Sequence, residues 1–328
     1  MAEKILEVRD LKKYFKNPAG TVQAVDGVTF SINKGDTLGI VGESGCGKTT
    51  AGRTIIRLLE PTAGEVLFEG KNVFSYGTRD MIRVRKDMQI IFQDPFSSLN
   101  PRNTVFQAIA KPIKFHKLMP GARKLDIERR VLELMETVGL AERLINSHPH
   151  ELDGGRRQRI GIARALALDP KFIVCDEPVS ALDVSIQAQI LNLLKELQKD
   201  RGITFIFITH DLSVVNHFSD NIVVMYLGMV VEMASAEELF ANPLHPYTKA
   251  LLSAILVPDA DAEQERVQLR GEISMPINMK EGCRFARRCN YHDEEKCKEG
   301  TPDLVEVSPN HFVTCHCIGP DRNDLKAQ

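Results

Sequence analysis

Residues 37–49 read TLGIVGESGCGKT, and this stretch decides the fold class. Its first five residues, Thr37 to Val41, are apolar and partly β-branched, which is typical of a buried strand. Gly42 to Thr49 then matches the phosphate-loop pattern G-x-x-x-x-G-K-[ST]. The pattern from Thr49 to Leu59 predicts a helix directly after it. Strand, glycine-rich turn and helix in this order favour a phosphate-binding loop over a turn that merely joins a strand to a helix.

The residue types in this loop suit a nucleotide triphosphate. Glycines let backbone N–H groups approach phosphate oxygens, and the helix that follows adds its positive end. Lys48 supplies a positive charge to the β- and γ-phosphates, and Thr49 offers a hydroxyl to Mg²⁺. The loop therefore predicts ATP and Mg²⁺ as ligands. The residues expected to contact them are Gly42, Glu43, Ser44, Gly45, Cys46, Gly47, Lys48, Thr49 and Thr50.

Two further apolar strands end in residues that carry chemistry. The strand 172–175 is followed by Asp176 and Glu177, and the strand 203–208 is followed shortly by His210. We expect the Asp176 carboxylate to reach the Mg²⁺ shell and Glu177 to polarise an attacking water as general base. Taken alone, the acidic pair is also compatible with a solvated loop, and the histidine with a structural role.

The alternation of buried strands with helical stretches such as 188–199 predicts an α/β fold built on a parallel sheet. Short strands at 5–8 and 24–30 indicate an N-terminal β subdomain. Between the two halves of the α/β core, residues 105–168 have a charged, helical pattern, clearest at 126–138. This pattern predicts a helical insertion.

The C-terminal part of the chain differs in composition from the rest. From residue 258 the sequence reads PDADAEQE, an acidic and polar stretch that is typical of a linker. The polar sequence beyond it carries five cysteines in the last 46 residues. We therefore divide the chain into a large domain at 1–256 and a small cysteine-bearing extension at 257–328.

Composition narrows the function classes. The 328-residue chain is 43% hydrophobic and 26% charged, with a formal net charge of −2 and a pI near 6.5. Nothing in this balance indicates a globally basic protein for nucleic acid or an anionic membrane surface, although a local basic patch stays possible. No apolar run approaches the roughly 18–20 residues that span a bilayer, and the N-terminus lacks a signal-peptide core. We expect a cytoplasmic protein that attaches to a membrane only through a partner.

Residues 152–166, LDGGRRQRIGIARAL, complete a resemblance to the ABC ATPase family that covers most of residues 4–256. The segment is a second glycine-led helix start, and it resembles the ABC signature. The resemblance implies an ABC-type phosphate-loop ATPase core in which Asp153, Gly154 and Gly155 grip the γ-phosphate bound to a partner subunit. Hydrolysis would then require a head-to-tail dimer.

Single residues resemble other conserved elements of the same family. Gln93 resembles the glutamine that links Mg²⁺ and nucleotide to the helical insertion. Asp183, in the loop that starts at residue 180, resembles a residue of the dimer seam, and His210 resembles the switch histidine that contacts the γ-phosphate. Phe15, or alternatively Tyr14, resembles the aromatic residue that stacks on adenine; core packing is the other interpretation of that ring.

The signature departs from the usual Leu-Ser-Gly-Gly-Gln. Asp153 replaces the serine and Arg156 replaces the glutamine. An ionised carboxylate cannot donate a hydrogen bond to a phosphate, and two like unit charges ~4 Å apart repel by ~4 kcal/mol at an effective dielectric of about 20. Either Arg156 and Arg157 neutralise the change, or Asp153 is protonated, or the partner's nucleotide site is slow. Our hypothesis is the last of these, an asymmetric pair of sites.

A finer resemblance is to the F-type ATPase of oligopeptide and dipeptide importers. It rests on residues 92–101, 178–187, 244–250, 282–289 and 313–316. It implies a second, non-identical ATPase, two transmembrane permease subunits and an external peptide-binding protein, at the cytoplasmic side of a bacterial membrane. Nickel, glutathione and oligosaccharide importers share these motifs. A soluble ABC ATPase acting on nucleic acid or ribosomes, and a metal or redox sensor, are the rival classes.

The cysteines of the extension indicate metal rather than disulfides, because the compartment is reducing. The resemblance implies a [4Fe-4S] cluster on Cys283, Cys289, Cys297 and Cys315, with zinc as the alternative. Their spacing, C-x5-C-x7-C-x17-C, is unlike the short pairs usual for structural zinc. Cys315 is preferred over Cys317 because the sequence Val-Thr-Cys-His matches the family ending.

Overall fold

The computed structural model describes residues 3–254, 267–269, 271, 276–298, 300–320, 322–323 and 325. The predicted linker at 258–265 lies outside these residues. The strands are β1 (Lys4–Asn17), β2 (Gly20–Asn33), β3 (Thr37–Val41), β4 (Ala63–Phe68), β5 (Lys71–Asn72), β6 (Met88–Ile91), β7 (Phe172–Asp176), β8 (Thr204–Ile208), β9 (Asn221–Tyr226), β10 (Met229–Ser235), β11 (Leu304–Ser308), β12 (His311–Thr314), β13 (Ile318–Gly319) and β14 (Arg322–Asn323).

The α-helices are α1 (Lys48–Ile55), α2 (Thr78–Asp87), α3 (Pro95–Ser98), α4 (Val105–Phe115), α5 (Lys124–Thr137), α6 (Gly154–Leu166), α7 (Val184–Arg201), α8 (Leu212–Phe218), α9 (Ala236–Ala241) and α10 (Pro246–Ser253). Short 3₁₀ turns lie at Val73–Ser75, Glu142–Leu144, Pro149–Glu151, Ala286–Arg288 and Lys296–Lys298. In the described part of the chain, no helix has the length and apolar character needed to cross a membrane.

The chain forms two compact units, which we name by their content. The helical unit comprises Met1–Glu3, Asn33–Asp36 and Ser75–Ile208. The phosphate-loop unit comprises Lys4–Ile32, Thr37–Phe74 and Thr209–Gln328. The described part of the predicted extension therefore belongs to the same unit as the phosphate loop.

In the phosphate-loop unit, the predicted N-terminal β subdomain is an antiparallel sheet with the strand order β2-β1-β4-β5. Its first strands run well past the predicted limits of 5–8 and 24–30. The polar second half of β1 stays in the ladder because it crosses an irregularity between Arg9 and Lys12 and resumes pairing at Lys12 opposite Ala63. A short polar strand half of this kind lacks the apolar pattern that predicts a strand from sequence.

The same unit places β3 beside β9 in parallel, from Leu38 opposite Asn221 to Val41 opposite Val224. β9, β10, β12 and β11 then follow as antiparallel neighbours. β11 and β12 come from the predicted extension, so this part of the extension is a sheet edge. All five residues of β3 are buried, as the sequence predicts for a core strand.

The helical unit contains the parallel strands β6, β7 and β8, with Phe172 of β7 opposite both Met88 and Thr204. Helices α4, α5 and α6 pack against one another, and all three lie within the predicted helical insertion at 105–168. A reciprocal capping box between Thr104 and Gln107 begins α4. The fold is thus the α/β class that the sequence predicts.

One helix is shorter than predicted. α1 ends at Ile55 rather than Leu59. Arg57 has a φ of 53°, in the left-handed region, and the N–H of Leu58 donates to the Arg53 carbonyl at 2.8 Å. A residue in the left-handed conformation commonly ends a helix in this way. The sequence predicted a longer helix because the apolar residues Leu58 and Leu59 continue the helical pattern.

Candidate ATP site

The phosphate loop joins β3 to α1 through glycines that no other residue can replace. Gly42 and Gly47 have φ values of 148° and 105°. A Cβ atom on Gly42 would lie 2.2 Å from the Met225 carbonyl oxygen, and one on Gly47 would lie 2.0 Å from the Ala24 carbonyl oxygen. Both the backbone conformation and the close approach of neighbouring backbone therefore require glycine here.

Lys48 is the buried cation of this loop, with 4% of its surface exposed. Its Nζ donates to the carbonyl oxygens of Gly42 at 2.7 Å and Glu43 at 3.0 Å. Hydrogen bonds from an ammonium to anionic phosphate are stronger than those to neutral carbonyls. A phosphate entering the loop can therefore take over the ammonium, and the loop suits the β- and γ-phosphates of a nucleotide.

Asp176 and Glu177 lie at the end of β7 in the helical unit. Asp176 is fully buried. Glu177 follows with a φ of 47°, a conformation that costs about 1–2 kcal/mol for a residue with a Cβ atom. The Gln93 Nε2 donates to the Glu177 Oε2 at 2.9 Å. The structure thus brings the predicted general base and the predicted Mg²⁺-linking glutamine into direct contact, 84 residues apart in sequence.

The signature segment begins α6, and Asp153 is its N-cap. The Asp153 Oδ1 accepts a hydrogen bond from the Arg156 N–H at 2.7 Å, and its Oδ2 lies 3.5 Å from the Arg156 guanidinium. Gly155 is buried, and a Cβ atom there would lie 2.6 Å from the Ile186 Cγ2. Arg157 donates instead to the Pro149 carbonyl at 2.7 Å. Of the two arginines considered for neutralising Asp153, Arg156 is the one in contact with it.

Asp183 has a similar capping role at α7. Its Oδ1 accepts hydrogen bonds from the Ile186 N–H at 3.0 Å and from the Ser185 hydroxyl at 2.7 Å. These bonds hold the pKa of the Asp183 carboxyl below its ordinary value. Asp183 is exposed, so its ionised carboxylate is open to a second subunit.

His210 and the two candidate adenine-stacking residues lie in the phosphate-loop unit. His210 is exposed, and the preceding residue, Thr209, donates its N–H to the Ile40 carbonyl of β3 at 3.2 Å. Phe15 is 38% exposed, with the Lys13 ammonium 4.8 Å above its ring. The Tyr14 hydroxyl donates to Asp26, and burial together with this contact raises its pKa. Phe15 is therefore the more available ring for stacking.

The cysteines of the extension lie near one another in the phosphate-loop unit. The Cys283 N–H donates to the Cys297 carbonyl at 3.4 Å. Burial, with added repulsion from neighbouring thiols, raises the pKa of Cys283 to about 12, of Cys289 to about 11 and of Cys315 to about 12. Among the residues that the structure describes, however, no group of three or more His, Cys, Asp or Glu side chains has a metal-holding arrangement.

Two residues that contact the phosphate loop were not predicted from the sequence. The Tyr247 hydroxyl accepts a hydrogen bond from the Glu43 N–H at 2.8 Å, and Arg288 forms an ion pair with the Glu43 carboxylate. Both residues lie in segments that resemble peptide-importer ATPases, 244–250 and 282–289. Their distance from Glu43 in sequence, 204 and 245 residues, left no local signal for the contact.

These features define the class of protein: a phosphate-loop ATPase with an ABC signature segment. Residues 25–180 match the ABC transporter family, and residues 231–297 match the C-terminal region of oligopeptide/dipeptide transporters. The chain is 54% identical over 317 residues to the oligopeptide transport ATP-binding protein OppF of Bacillus subtilis (strain 168), covering 96% of this chain and 97% of the relative. It is 50% identical over 324 residues to AppF of the same organism, with the same coverage.

Solved structures agree with this class. The dimeric ATP-binding cassette MJ0796, in a post-hydrolysis state bound to ADP and Pi, superposes with a TM-score of 0.65 at 31% identity, covering 70% of this chain and 98% of that one. CbiO1 from Clostridium perfringens, part of the ABC transporter complex CbiONQ, superposes with a TM-score of 0.64 at 32% identity, covering 73% and 92%. The chain belongs to the ABC transporter family of ATP-binding proteins, in its oligopeptide/dipeptide branch. It is an ATPase.

Proposed function

We propose that this ATPase powers the import of oligopeptides or dipeptides through an ABC importer. It works beside a second, non-identical ATPase beneath two transmembrane permease subunits, at the cytoplasmic side of a bacterial membrane. The observation that carries the proposal is the match of residues 231–297 to the oligopeptide/dipeptide transporter C-terminal region, joined to a complete phosphate loop. The names of the OppF and AppF relatives support the same cargo.

In the proposed mechanism the phosphate loop and the residues at the strand ends have separate tasks. Lys48 would bind the β- and γ-phosphates, and Thr49, Gln93 and Asp176 would hold Mg²⁺, which would neutralise charge on the phosphates. Glu177 removes a proton from the attacking water, and its contact with the Gln93 amide at 2.9 Å orients the carboxylate before substrate arrives. His210 contacts the γ-phosphate and Phe15 stacks on adenine. Asp153, Gly154, Gly155 and Asp183 serve the nucleotide of the partner ATPase.

Co-purification tests the assembly. The full chain, affinity-tagged and extracted in mild detergent, should bring down two polytopic membrane proteins and one further ABC ATPase. Peptide-stimulated ATP hydrolysis in vesicles containing these subunits and the binding protein should then accompany peptide uptake. Recovery of ribosomes or nucleic acid without membrane partners would favour the soluble ABC ATPase, and stimulation by nickel or glutathione instead of peptide would change the cargo.

We further propose that Cys283, Cys289, Cys297 and Cys315 hold a [4Fe-4S] cluster that fastens the extension. The support is chemical: an all-thiolate donor set suits iron–sulfur clusters, and the four residues come from one compact unit, although their described side chains do not form a metal-holding group. The raised pKa values of Cys283, Cys289 and Cys315 mean that binding releases protons, so assembly should weaken as the pH falls. Cys317 is a fifth, buried thiol beside them.

Anaerobic purification tests the cluster. Brown protein with about four irons per chain is the expected result, and Cys289→Ser should lose the colour while Cys175→Ser, which alters a buried thiol in the helical unit, keeps it. Colourless protein with one zinc per chain would replace the cluster with zinc. Colourless protein without any metal would leave the extension held by packing alone.

A further inference from the structure

Glu43 is an unusual residue for a loop that receives phosphates. It is the second residue of the phosphate loop, between Gly42 and Ser44. A carboxylate next to the binding position of a polyanion repels it unless a cation compensates the charge. The way in which the structure holds Glu43 therefore bears directly on nucleotide affinity.

Arg288 supplies that cation from the far end of the chain. Its two terminal nitrogens donate to the two carboxylate oxygens of Glu43, at 2.7 Å and 3.1 Å. This is the paired geometry in which a guanidinium and a carboxylate bind most strongly. Arg288 is only 8% exposed, and its hydrogen bond to Glu43 is the main reason that its pKa is raised above its ordinary value.

The segment that carries Arg288 packs on a cluster of aromatic side chains. Phe285, in the same segment, is buried with its ring centroid 5.2 Å from that of Tyr226 and 5.6 Å from that of Tyr247. Tyr247 reaches the loop as well, because its hydroxyl accepts the hydrogen bond of the Glu43 N–H at 2.8 Å. The Lys48 ammonium donates to the Glu43 carbonyl. Glu43 is thus fixed at its side chain and at its N–H by residues other than Lys48.

We propose that Arg288 is a positioning residue for ATP binding: it neutralises Glu43 and fixes the start of the phosphate loop from the C-terminal extension. The inference goes beyond peptide import and holds whatever cargo the importer carries, because it concerns only the site for MgATP. It gives the extension a role in nucleotide binding. The role is electrostatic and geometric, since Arg288 acts through Glu43 rather than on the nucleotide.

A double-mutant cycle on the full chain tests this role. Arg288→Gln leaves the Glu43 carboxylate in the loop without its cation. The loss of a charged hydrogen-bonded partner should raise the Kd for MgATP about tenfold. Because the defect is in binding, the KM for ATP of the assembled ATPase should rise by a similar factor while kcat changes little. Arg287→Gln, one residue away and exposed, is the matched control and should bind MgATP like the wild type.

The second arm removes the carboxylate. In the Glu43→Gln background, adding Arg288→Gln should change the Kd for MgATP by less than twofold, since no unpaired charge remains. A purely structural role in folding the extension predicts the full loss in both backgrounds, and that outcome would overturn the proposal. So would an Arg288→Gln protein that binds MgATP like Arg287→Gln. If Arg288→Gln does not fold, Arg288→Lys replaces it in the cycle, with about a threefold loss expected because the paired geometry is gone.

Discussion

Two helices in this molecule, α1 and α6, both start next to glycine residues, but only α6 has a side-chain cap. α1 begins at Lys48 after Gly47, and among the described residues no side chain caps it. α6 begins at Gly154 after Asp153, whose carboxylate caps it through the Arg156 N–H. The positive end of α1 is thus open to an external anion, whereas the positive end of α6 already meets an internal one. A glycine-rich helix start therefore indicates an anion-binding position, but the anion can be either a bound ligand or a carboxylate of the protein itself.

The bracing of the two sites differs as well. Asp153 is held by its own helix, through a residue three positions away. The phosphate loop is held by Tyr247 and Arg288, more than 200 residues further along the chain. A locally capped site tolerates changes elsewhere in the chain, but a site braced over such distances depends on the C-terminal segments being in place. Four variants test these differences.

The largest effect is expected for Glu177→Gln. The amide cannot accept the proton of the attacking water, and loss of one preorganised charge stabiliser typically lowers kcat by ~10²–10³. MgATP binding should be retained, because Lys48 and the open start of α1 are untouched. We expect the variant to accumulate as an ATP-bound dimer, which size-exclusion chromatography with MgATP would detect. Glu196→Gln, an exposed change on α7, is the control; near-normal turnover in Glu177→Gln would remove Glu177 from the role of base.

Lys48→Ala should reverse this pattern by removing affinity instead of chemistry. Lys48 carries the only positive side-chain charge of loop 42–49, so its loss should raise the Kd for MgATP by about ten- to a hundredfold. Equilibrium titration of the full chain measures this directly. Lys195→Ala, exposed on α7, should bind normally. Unchanged affinity in Lys48→Ala would contradict the view that the open start of α1 is the nucleotide site.

The phosphate loop and the acidic pair could be predicted from the sequence because their signals are local. The loop 42–49 directly follows a buried strand, and Asp176 and Glu177 lie at the end of another. The contact between Gln93 and Glu177 and the ion pair between Arg288 and Glu43 could not be found in this way, since they join residues 84 and 245 positions apart. The strands β11 and β12 were missed for a related reason: they are short, and they become a sheet edge only through pairing with β10.

Asp153→Ser tests whether the capped start of α6 makes the two ATP sites unequal. A serine hydroxyl can still cap the helix and can also donate to a phosphate, so we expect turnover at the partner's site to rise several-fold. The measurement is ATP hydrolysis by this ATPase reconstituted with the proposed partner ATPase, with each general base removed in turn. Asp200→Ser, exposed on α7, is the control.

The hypothesis of unequal ATP sites can be contradicted by the same measurement. Arg156 already pairs with the Asp153 carboxylate at 3.5 Å, which favours the alternative that the change is neutralised. If removing the partner's glutamate abolishes turnover as completely as Glu177→Gln does, and Asp153→Ser gives no gain, the two sites are equivalent. The contrast between the two helix starts would then be one of capping alone.

The smallest effect concerns the pH dependence of stability at the edge that β12 forms on β10. His311 of β12 is buried, and its ring nitrogens lie 2.8 Å from Glu232 and 3.2 Å from Glu238. Burial lowers the pKa of His311, but the two carboxylates outweigh it and the pKa is raised above its ordinary value. The protonated ring therefore binds better in the folded chain. Its stabilisation is complete below the unfolded pKa of about 6.5 and is lost as the pH rises through the higher folded value.

The free energy of unfolding should accordingly fall as the pH rises above about 6.5, and His311→Gln should flatten that slope. Urea unfolding at several pH values measures it. His245 is the internal contrast, because burial lowers its pKa to about 4 and it accepts from the Tyr247 N–H. Its contribution has the opposite sign, with stability lost as the pH falls below about 6.5. An unchanged slope above this pH in His311→Gln would show that the strand β12, and with it the extension that braces the phosphate loop, is held without a charged histidine.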